Sequence, residues 1–261
     1  MSQNGDKGQG ANAAGAKFGT GYCDAQCPHD VKFINGEANI DDWNTTTAKG
    51  KKGSCCAEMD IWEANSMASA YTLHPCNVTG QHTCTSALEC GDENLRYDGV
   101  CDKDGCDLNA YRAGQHSFFG QHMTVDTTRP FTVVTQFITA DGSADSDIVE
   151  VKRAYVQDGK YIPHVATNVA SMSKQFDSIT DEMCSATKTA FADLNDYVNK
   201  GSMKAMSDAL GRGVVLVMSL WDDHDSNMLW LDSTFPTNSS HVGAQRGACS
   251  IDSGKPDDVE S

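Results

Sequence analysis

The sequence has 261 residues, and its 36 Asp and Glu outnumber its 20 Lys and Arg, giving a formal net charge of −16. This balance excludes a basic stripe that could neutralise nucleic-acid phosphates, and it argues against binding to anionic membranes. No apolar run approaches the roughly 18 residues that a membrane-spanning helix needs. The acidity is best explained by solubility.

The first half of the chain reads as short strands and loops. Residues 1–16 are Gly, Ala and polar residues and predict a loop, whereas residues 17–66 carry short strand-like runs and an acidic cluster. Residues 76–115 are rich in Cys, Asp and Gly and have little periodicity, which predicts long loops joined by disulfides.

The clearest strands lie in the second half. Thr132–Thr139 is rich in β-branched residues and predicts a strand, and Ile148–Val156 predicts another. Asp158-Gly159 predicts a tight turn into a further strand that starts at Lys160.

A helix and one more strand follow. Gly201–Gly211 predicts a short helix that Ser202 caps and Gly211 ends. Val214–Trp221 is almost wholly apolar and predicts the strongest strand, buried on both faces. Many strands with few helices predict an all-β protein, either a β-sandwich or a jelly roll.

The acidic cluster is the most informative part of the chain. Glu58 and Asp60 share one face of a strand, because side chains alternate with period two. Glu63 has the opposite parity, and one bulge after Asp60 would bring it to the same face. Carboxylates held close together have pKa values that repulsion and unequal burial separate, as a retaining glycosidase requires. The competing interpretation is a solvated acidic strand face, which spacing alone favours.

The 11 cysteines allow two interpretations. Cys23, Cys27, Cys55 and Cys56 could form a four-thiolate zinc site, although adjacent cysteines are poor partners for one tetrahedral ion. The alternative is a set of disulfides. Three Asn-x-Ser/Thr acceptors favour a secreted, disulfide-bonded glycoprotein, and they are at Asn44, Asn77 and Asn238.

The acidic segment resembles the active-site strand of glycoside hydrolase family 7, the retaining cellulases. It reads Ser-Cys-Cys-Ala-Glu58-Met-Asp60-Ile-Trp-Glu63-Ala-Asn, and the resemblance runs from about Ala11 to the C-terminus. Further similar segments are Gly19–Pro28, Lys32–Gly36, Asp126–Thr128, Thr132–Phe137, Val217–Asp223 and Asn227–Asn238. The resemblance implies a concanavalin-like β-jelly-roll sandwich with long disulfide-joined loops and a few short helices.

The resemblance also implies catalytic roles. Glu58 would be the nucleophile, Asp60 its hydrogen-bonding neighbour and Glu63 the general acid/base. His74 would lie beside the acid/base, although a lone histidine is more often a core or loop residue. No metal or organic cofactor is implied.

The same resemblance implies a set of disulfides. The pairs are Cys23–Cys56, Cys27–Cys55, Cys76–Cys101, Cys84–Cys90 and Cys106–Cys184. Cys249 is left over, and in the family its counterpart bonds a cysteine upstream of this chain's first residue.

Substrate-binding residues follow from the resemblance too. Trp221 and Trp230 would stack under sugar rings, and Asp222 would bind a hydroxyl, although tryptophans in a strand are more often core residues. Product-side positions would be Arg96, Asp104, Asp107 and Arg246, for which ordinary surface ion pairing is the competing interpretation. Arg112 is interpreted as structural. His224-Asp225 stands where many cellobiohydrolases have aromatic residues, so the cleft is expected to open more easily.

The activity implied is exo-acting cleavage of cellulose, releasing cellobiose. The segment Asn77–Asp107 supports this, because family endoglucanases tend to lack it. Two alternatives are an endo-β-1,4-glucanase and a non-catalytic, lectin-like remnant. The expected partner is a cellulose or cello-oligosaccharide chain, bound by a secreted monomer.

The chain ends carry an expectation of their own. Met1–Gly10 has no basic start and no apolar run, so it is not a signal peptide. We therefore expect residues 1–261 to be a single partial catalytic domain, truncated at both ends. A sandwich that lacks strands would expose sheet edges, and this predicts aggregation of the isolated chain.

Overall fold

The computed structural model describes residues 21–259, and the loop expected over residues 1–16 lies outside them. The strands in this range are β1 (Phe33–Ile34), β2 (Glu37–Ala38), β3 (Gly53–Cys55), β4 (Glu58–Ala64), β5 (Ser69–His74), β6 (His82–Cys84), β7 (Cys106–Asp107), β8 (Phe119–Gly120), β9 (Val125–Asp126), β10 (Thr132–Thr139), β11 (Ile148–Gln157), β12 (Lys160–Pro163) and β13 (Ser178–Ile179).

The helices of the described residues are few and short. They are α1 (Ala87–Cys90), a 3₁₀ turn (Glu93–Leu95), α2 (Asp181–Phe191), α3 (Asp196–Asn199), α4 (Ser202–Arg212), α5 (Leu229–Asp232) and α6 (Pro256–Val259). None of them is long and apolar enough to cross a bilayer. The prediction of a mostly β protein is confirmed.

The largest sheet confirms the strands predicted for residues 132–163. β11 pairs in antiparallel fashion with β10, β12 and β13. Between β11 and β12, Asp158 and Gly159 both have positive φ, 51° and 74°. A two-residue hairpin turn with two left-handed residues suits the twist of the flanking strands, which explains the Asp-Gly pair.

The chain forms two compact units, which are interleaved in sequence. In the described range, the first unit comprises residues 21–59, 73–105 and 196–218, and the second comprises 60–72, 106–195 and 219–259. The division between the units falls within β4, after Met59.

Disulfides make up much of the core of the first unit. Cys27–Cys55, Cys76–Cys101 and Cys84–Cys90 are buried together with Ala25. Cys23–Cys56 lies beside them. These pairs confirm the predicted connectivity, and they replace the alternative zinc site, because a sulfur in a disulfide is not a thiolate ligand.

An aromatic cluster forms the core of the second unit. Phe118, Phe119 and Tyr155 pack with Val125 and Ile162, and their rings meet edge-on or tilted, with centroids about 6 Å apart. Such contacts give this unit a core of large aromatic side chains, unlike the half-cystine cluster of the first unit.

Helix α2 is fixed at both ends and by a covalent bond. Thr180 accepts a hydrogen bond from the Met183 backbone N–H at 3.1 Å, which caps the first turn. Cys184 in the buried face of α2 bonds Cys106 of β7, so the fifth predicted disulfide is also confirmed.

The predicted ends of the helix near residue 201 are wrong. Helix α4 has Gly201 at its N-cap with no side-chain hydrogen bond, so Ser202 does not cap it. Gly211 lies inside the helix, which ends at Gly213 with φ 90°. The chain therefore leaves the helix at the glycine that has a positive φ, not at the first glycine in sequence.

The strand predicted over Val214–Trp221 is also wrong. Residues 215–221 form no strand among the described residues, and the Leu220 side chain is fully exposed at 102%. The apolar composition suits a buried strand, but a strand also needs a neighbour for its backbone N–H and C=O groups. Composition alone could not supply that information.

This exposed run should promote self-association. Val214–Trp221 is apolar, uncharged and free of proline, which is typical of segments that pair between chains. We expect Leu220→Lys to reduce light scattering of the concentrated protein while leaving its melting temperature within about 2 °C, because the side chain makes no buried contact. Val198→Lys, at an exposed apolar position outside the run, is the control. Equal effects of the two variants would contradict the assignment.

Candidate active site

Strand β4 carries the three carboxylates of the acidic cluster. It is an outer strand of the sheet with order β4-β5-β7. Glu58, Asp60 and Glu63 are half-buried, whereas Ile61 and Trp62 are both 37% exposed. Exposure along β4 therefore does not alternate from residue to residue as it does in a regular half-buried strand. The bulge expected between Asp60 and Glu63 stays a prediction.

Glu58 is held by a backbone donor from a disulfide-bonded loop. The Ala25 N–H donates to Glu58 Oε2 at 3.0 Å. Ala25 is buried between Cys23 and Cys27, whose disulfide partners, Cys56 and Cys55, come just before β4. The loop therefore cannot move away from the strand, and its N–H orients the carboxylate and stabilises its negative charge.

Glu63 is held by a neighbouring strand. Thr72 of β5 is buried, and its Oγ1 hydroxyl donates to Glu63 Oε2 at 3.2 Å. Neither Thr72 nor Ala25 is among the residues predicted from the sequence. Thr72 could have been found from the sequence, because it is two residues from His74 on β5 and so shares its strand face. A backbone donor such as Ala25 leaves no such pattern in the sequence.

His74 is buried at the end of β5. Its Nδ1 lies 2.8 Å from the backbone carbonyl oxygen of Asp102. Because a carbonyl only accepts, Nδ1 carries the proton in this contact, and the orientation of the ring is fixed.

Arg96 and Asp104 form a pair in the first unit. Arg96 Nε donates to Asp104 Oδ1 at 2.7 Å, and Arg96 Nη2 donates to the Lys103 carbonyl at 2.9 Å. The Tyr97 hydroxyl donates to Asp104 Oδ2 at 2.9 Å. The structure therefore brings together two of the predicted site residues and adds a tyrosine that was not predicted.

Asp107 is the centre of a buried charge network in the second unit. Arg112 Nη1 donates to Asp107 Oδ1 at 2.8 Å, and Arg246 Nη1 lies 3.9 Å from Oδ2. Burial alone would raise the pKa of Asp107, but the charges of Arg112, Arg246 and Lys188 outweigh it and lower the pKa to about 2. Arg112 also bonds Asp193 at 2.5 Å, which agrees with the structural role predicted for it.

Trp221 and Trp230 lie face to face in the second unit. Their ring centroids are 6.3 Å apart and their planes differ by 18°. Trp230 is half-buried and donates from Nε1 to Asp223 Oδ2 at 3.0 Å, whereas Trp221 is exposed. Neither is a fully buried core residue.

Asp222 contacts His224, one of the two residues at which the sequence differs from many cellobiohydrolases. His224 Nε2 lies 2.9 Å from Asp222 Oδ2, and both side chains are exposed. A polar His–Asp pair therefore occupies the position for which the resemblance implies aromatic contacts.

The clustered thiols of the first unit offer no metal site. Cys27, Cys55 and Cys84 lie close together, but each is in a disulfide. Within residues 21–259 the one free cysteine is Cys249, and burial raises its thiol pKa to about 11, with Asp232 adding to the effect. Cys249 is therefore a protonated thiol near neutral pH.

The fold is mostly β and rich in disulfides, and it carries carboxylates grouped on one strand and a pair of incompletely buried tryptophans. This combination is typical of a glycoside hydrolase. The sequence model of glycosyl hydrolase family 7 matches residues 1–261. The chain belongs to this family.

Individual relatives show the same similarity. The chain is 54% identical over 256 residues to an exoglucanase GH7B from Limnoria quadripunctata, covering 96% of this chain and 56% of that protein. It is 50% identical to a cellobiohydrolase from Daphnia pulex, with a TM-score of 0.93, covering 98% of this chain and 60% of that one. It is 40% identical to an endocellulase from Humicola insolens, with a TM-score of 0.77, covering 97% of this chain and 55% of that one. The predicted fold class is thereby confirmed, and the chain spans little more than half the length of these relatives.

The Asp107 network predicts a pH dependence of stability. The folded-state pKa lies below the ordinary value of 3.8, so ionised Asp107 stabilises the folded chain above pH 4, and this is lost as the pH falls towards 2. Asp107→Asn should lower the free energy of unfolding at pH 7 by about 2 kcal/mol and flatten its decrease between pH 4 and 2. Urea unfolding followed by tryptophan fluorescence measures both. Asp42→Asn, at an exposed position, is the control, and parallel curves for Asp107→Asn and wild type would contradict the prediction.

Proposed function

We propose that this chain carries the catalytic residues of a retaining β-1,4-glucanase that cleaves cellulose from chain ends and releases cellobiose. The observation that supports it most is strand β4, where Glu58 and Glu63 are each held by a separate donor, Ala25 N–H and the Thr72 hydroxyl. A surface of solvated acids would not need such support. Membership of family 7 agrees with this chemistry.

The proposed reaction is a double displacement. Glu58 attacks the anomeric carbon while Glu63 protonates the leaving glycosidic oxygen, and Asp60 hydrogen-bonds the nucleophile. Glu63 then removes a proton from water while the water oxygen attacks the anomeric carbon. The bond to Glu58 breaks, and the sugar is released with net retention of configuration. The two carboxyl groups are expected to lie roughly 5–5.5 Å apart. The fixed ring of His74 would bind substrate next to Glu63.

Other site residues would bind the sugar chain. The indole rings of Trp221 and Trp230 suit stacking on pyranose rings, and Asp222 would accept from a hydroxyl. Arginine donors and paired carboxylates suit the hydroxyls of a leaving disaccharide, and the residues proposed for this are Arg96, Asp104, Asp107 and Arg246. Because these groups are held in ion pairs within their units, they would be pre-organised for binding.

The exo mode is supported by the segment Asn77–Asp107. Cys76–Cys101 and Cys84–Cys90 hold this segment, and a fixed loop can cover a product site that an endoglucanase leaves open. The relatives named as exoglucanase and cellobiohydrolase are also more similar to the chain than the endocellulase. An endo-acting enzyme is the second candidate, and a ratio of soluble to insoluble reducing ends near one would favour it.

Secretion and glycosylation belong to the same proposal. Five disulfides need an oxidising compartment to form. Asn44, Asn77 and Asn238 are exposed, so each can receive a glycan. We propose a secreted monomer that binds a cellulose or cello-oligosaccharide chain, without nucleic acid, membrane or cofactor.

The test is Glu58→Gln. Removing the nucleophile should lower turnover of an aryl β-cellobioside by about 10³-fold or more, while the affinity for cellulose stays within about threefold, because the amide keeps the shape of the site. Proton NMR of the wild-type reaction should show the β-anomer as the first product. Glu37→Gln, at an exposed position paired only with Lys52, controls for the amide change.

Three results would count against the proposal. An α-anomeric first product would exclude the double displacement. Normal turnover in Glu58→Gln would remove Glu58 from the reaction. Cellulose binding without any turnover by wild-type protein would favour the lectin-like alternative.

A further inference from the structure

Arg153 is a buried cation behind the catalytic strand. Arg153 lies on β11 and is only 3% exposed. The guanidinium lies over the Tyr71 ring at 4.4 Å and over the Trp62 ring at 5.4 Å from the centroids. It is therefore held between one residue of β4 and one of β5 in the second unit.

A hydrogen bond joins Arg153 to the backbone of β4. Arg153 Nη2 donates to the carbonyl oxygen of Ile61. Ile61 lies between Asp60 and Glu63, in the exposed part of a strand whose exposure does not alternate regularly. A side-chain donor at a strand carbonyl can fix a local irregularity that the sheet ladder does not hold by itself.

The contacts of Arg153 lie next to both parts of the Glu63 hydrogen bond. Trp62 immediately precedes Glu63, and Tyr71 immediately precedes Thr72, whose hydroxyl donates to Glu63. One planar group thus contacts the side chains of the residues that precede the acid/base and its donor in sequence. A displacement of Arg153 would move both.

The environment of Arg153 is unusual for a purely structural cation. None of the ion pairs in the described residues involves Arg153. Its Nε and Nη1 atoms have no acceptor at close hydrogen-bond geometry, and the Tyr155 side chain offers only a weak hydrogen bond. Burial lowers the pKa of Arg153, and Tyr155 and Tyr71 offset part of this effect. A methionine of similar volume would avoid the cost of burying the charge, so the guanidinium needs another explanation.

We propose that Arg153 is a positioning residue for general acid catalysis: through the Ile61 carbonyl and the Trp62 and Tyr71 rings, it fixes the orientation of Glu63. The inference rests on the proposed function, in which Glu63 protonates the leaving group. Arg153 itself touches no substrate in this account.

The first test measures the backbone directly and needs no activity. In Arg153→Met, amide hydrogen exchange of residues 61–64 should be faster by roughly tenfold, because the strand loses its lateral contact. Arg153→Lys keeps the charge and one donor but not the planar stacking, and its exchange should lie between wild type and Arg153→Met. Arg129→Met replaces a half-exposed arginine paired with Asp126 and Asp158 and should leave exchange at 61–64 unchanged.

The second test compares two leaving groups. Phenyl β-cellobioside needs protonation of its leaving oxygen, whereas 2,4-dinitrophenyl β-cellobioside does not. In Arg153→Met, kcat/KM for the phenyl substrate should fall roughly tenfold or more, while the dinitrophenyl value changes by less than about threefold. A general loss of folded protein would lower both values equally. If Arg153→Met does not fold, Arg153→Lys serves for the same comparison with a smaller difference.

Failure of the inference and failure of the proposed function give different results. If wild-type protein cleaves neither cellobioside, the proposed function fails, and hydrogen exchange still tests Arg153. Unchanged exchange at residues 61–64 in Arg153→Met, or equal losses on the two substrates, would overturn the positioning role.

Discussion

Two adjacent disulfides and one backbone hydrogen bond hold the start of strand β4 against a preceding loop. Cys55 and Cys56 precede β4, and their bonds to Cys27 and Cys23 hold the loop between those residues against the strand. Ala25 lies in that loop and donates its N–H to Glu58. Without the disulfides, the donor would belong to a loop with few large apolar side chains to hold it.

This arrangement follows from the composition of the first unit. Its core contains half-cystines and alanine more than large apolar residues, so burial of apolar surface contributes less than in an ordinary domain. Cross-links that restrict the unfolded chain compensate for this deficit. The second unit differs, because aromatic side chains fill its core and supply the cage around Arg153. The two carboxylates on β4 are thereby supported by different means, covalent bonds at Glu58 and aromatic packing near Glu63.

Patterns that depend on local chemistry could be read from the sequence. The strand over Thr132–Thr139 follows from its β-branched residues, and the turn at Asp158-Gly159 follows from the need for two left-handed residues. The disulfide pairs came from the family resemblance, because eleven cysteines allow many connectivities. In contrast, Val214–Trp221 has the composition of a buried strand but is exposed, since composition does not reveal whether a neighbouring strand is available.

The contacts that support the site were the least predictable. Ala25 contributes a backbone N–H, which every residue type except proline has, and Arg153 contacts Ile61 across 92 positions of sequence. Such contacts depend on how strands are brought together, and no local pattern encodes them. Thr72 is intermediate, because its spacing of two residues from His74 could have placed it on the strand face that contacts Glu63.

The central claim is that Glu58, oriented by Ala25, is the nucleophile of a retaining glycosidase. The most direct measurement is to incubate the protein with 2-deoxy-2-fluoro-β-cellobiosyl fluoride, which forms the covalent intermediate but releases it slowly, and to sequence the labelled peptide by mass spectrometry. The account predicts one fluorocellobiosyl group on Glu58. A label on Glu63, or an active protein that never becomes labelled, would contradict it.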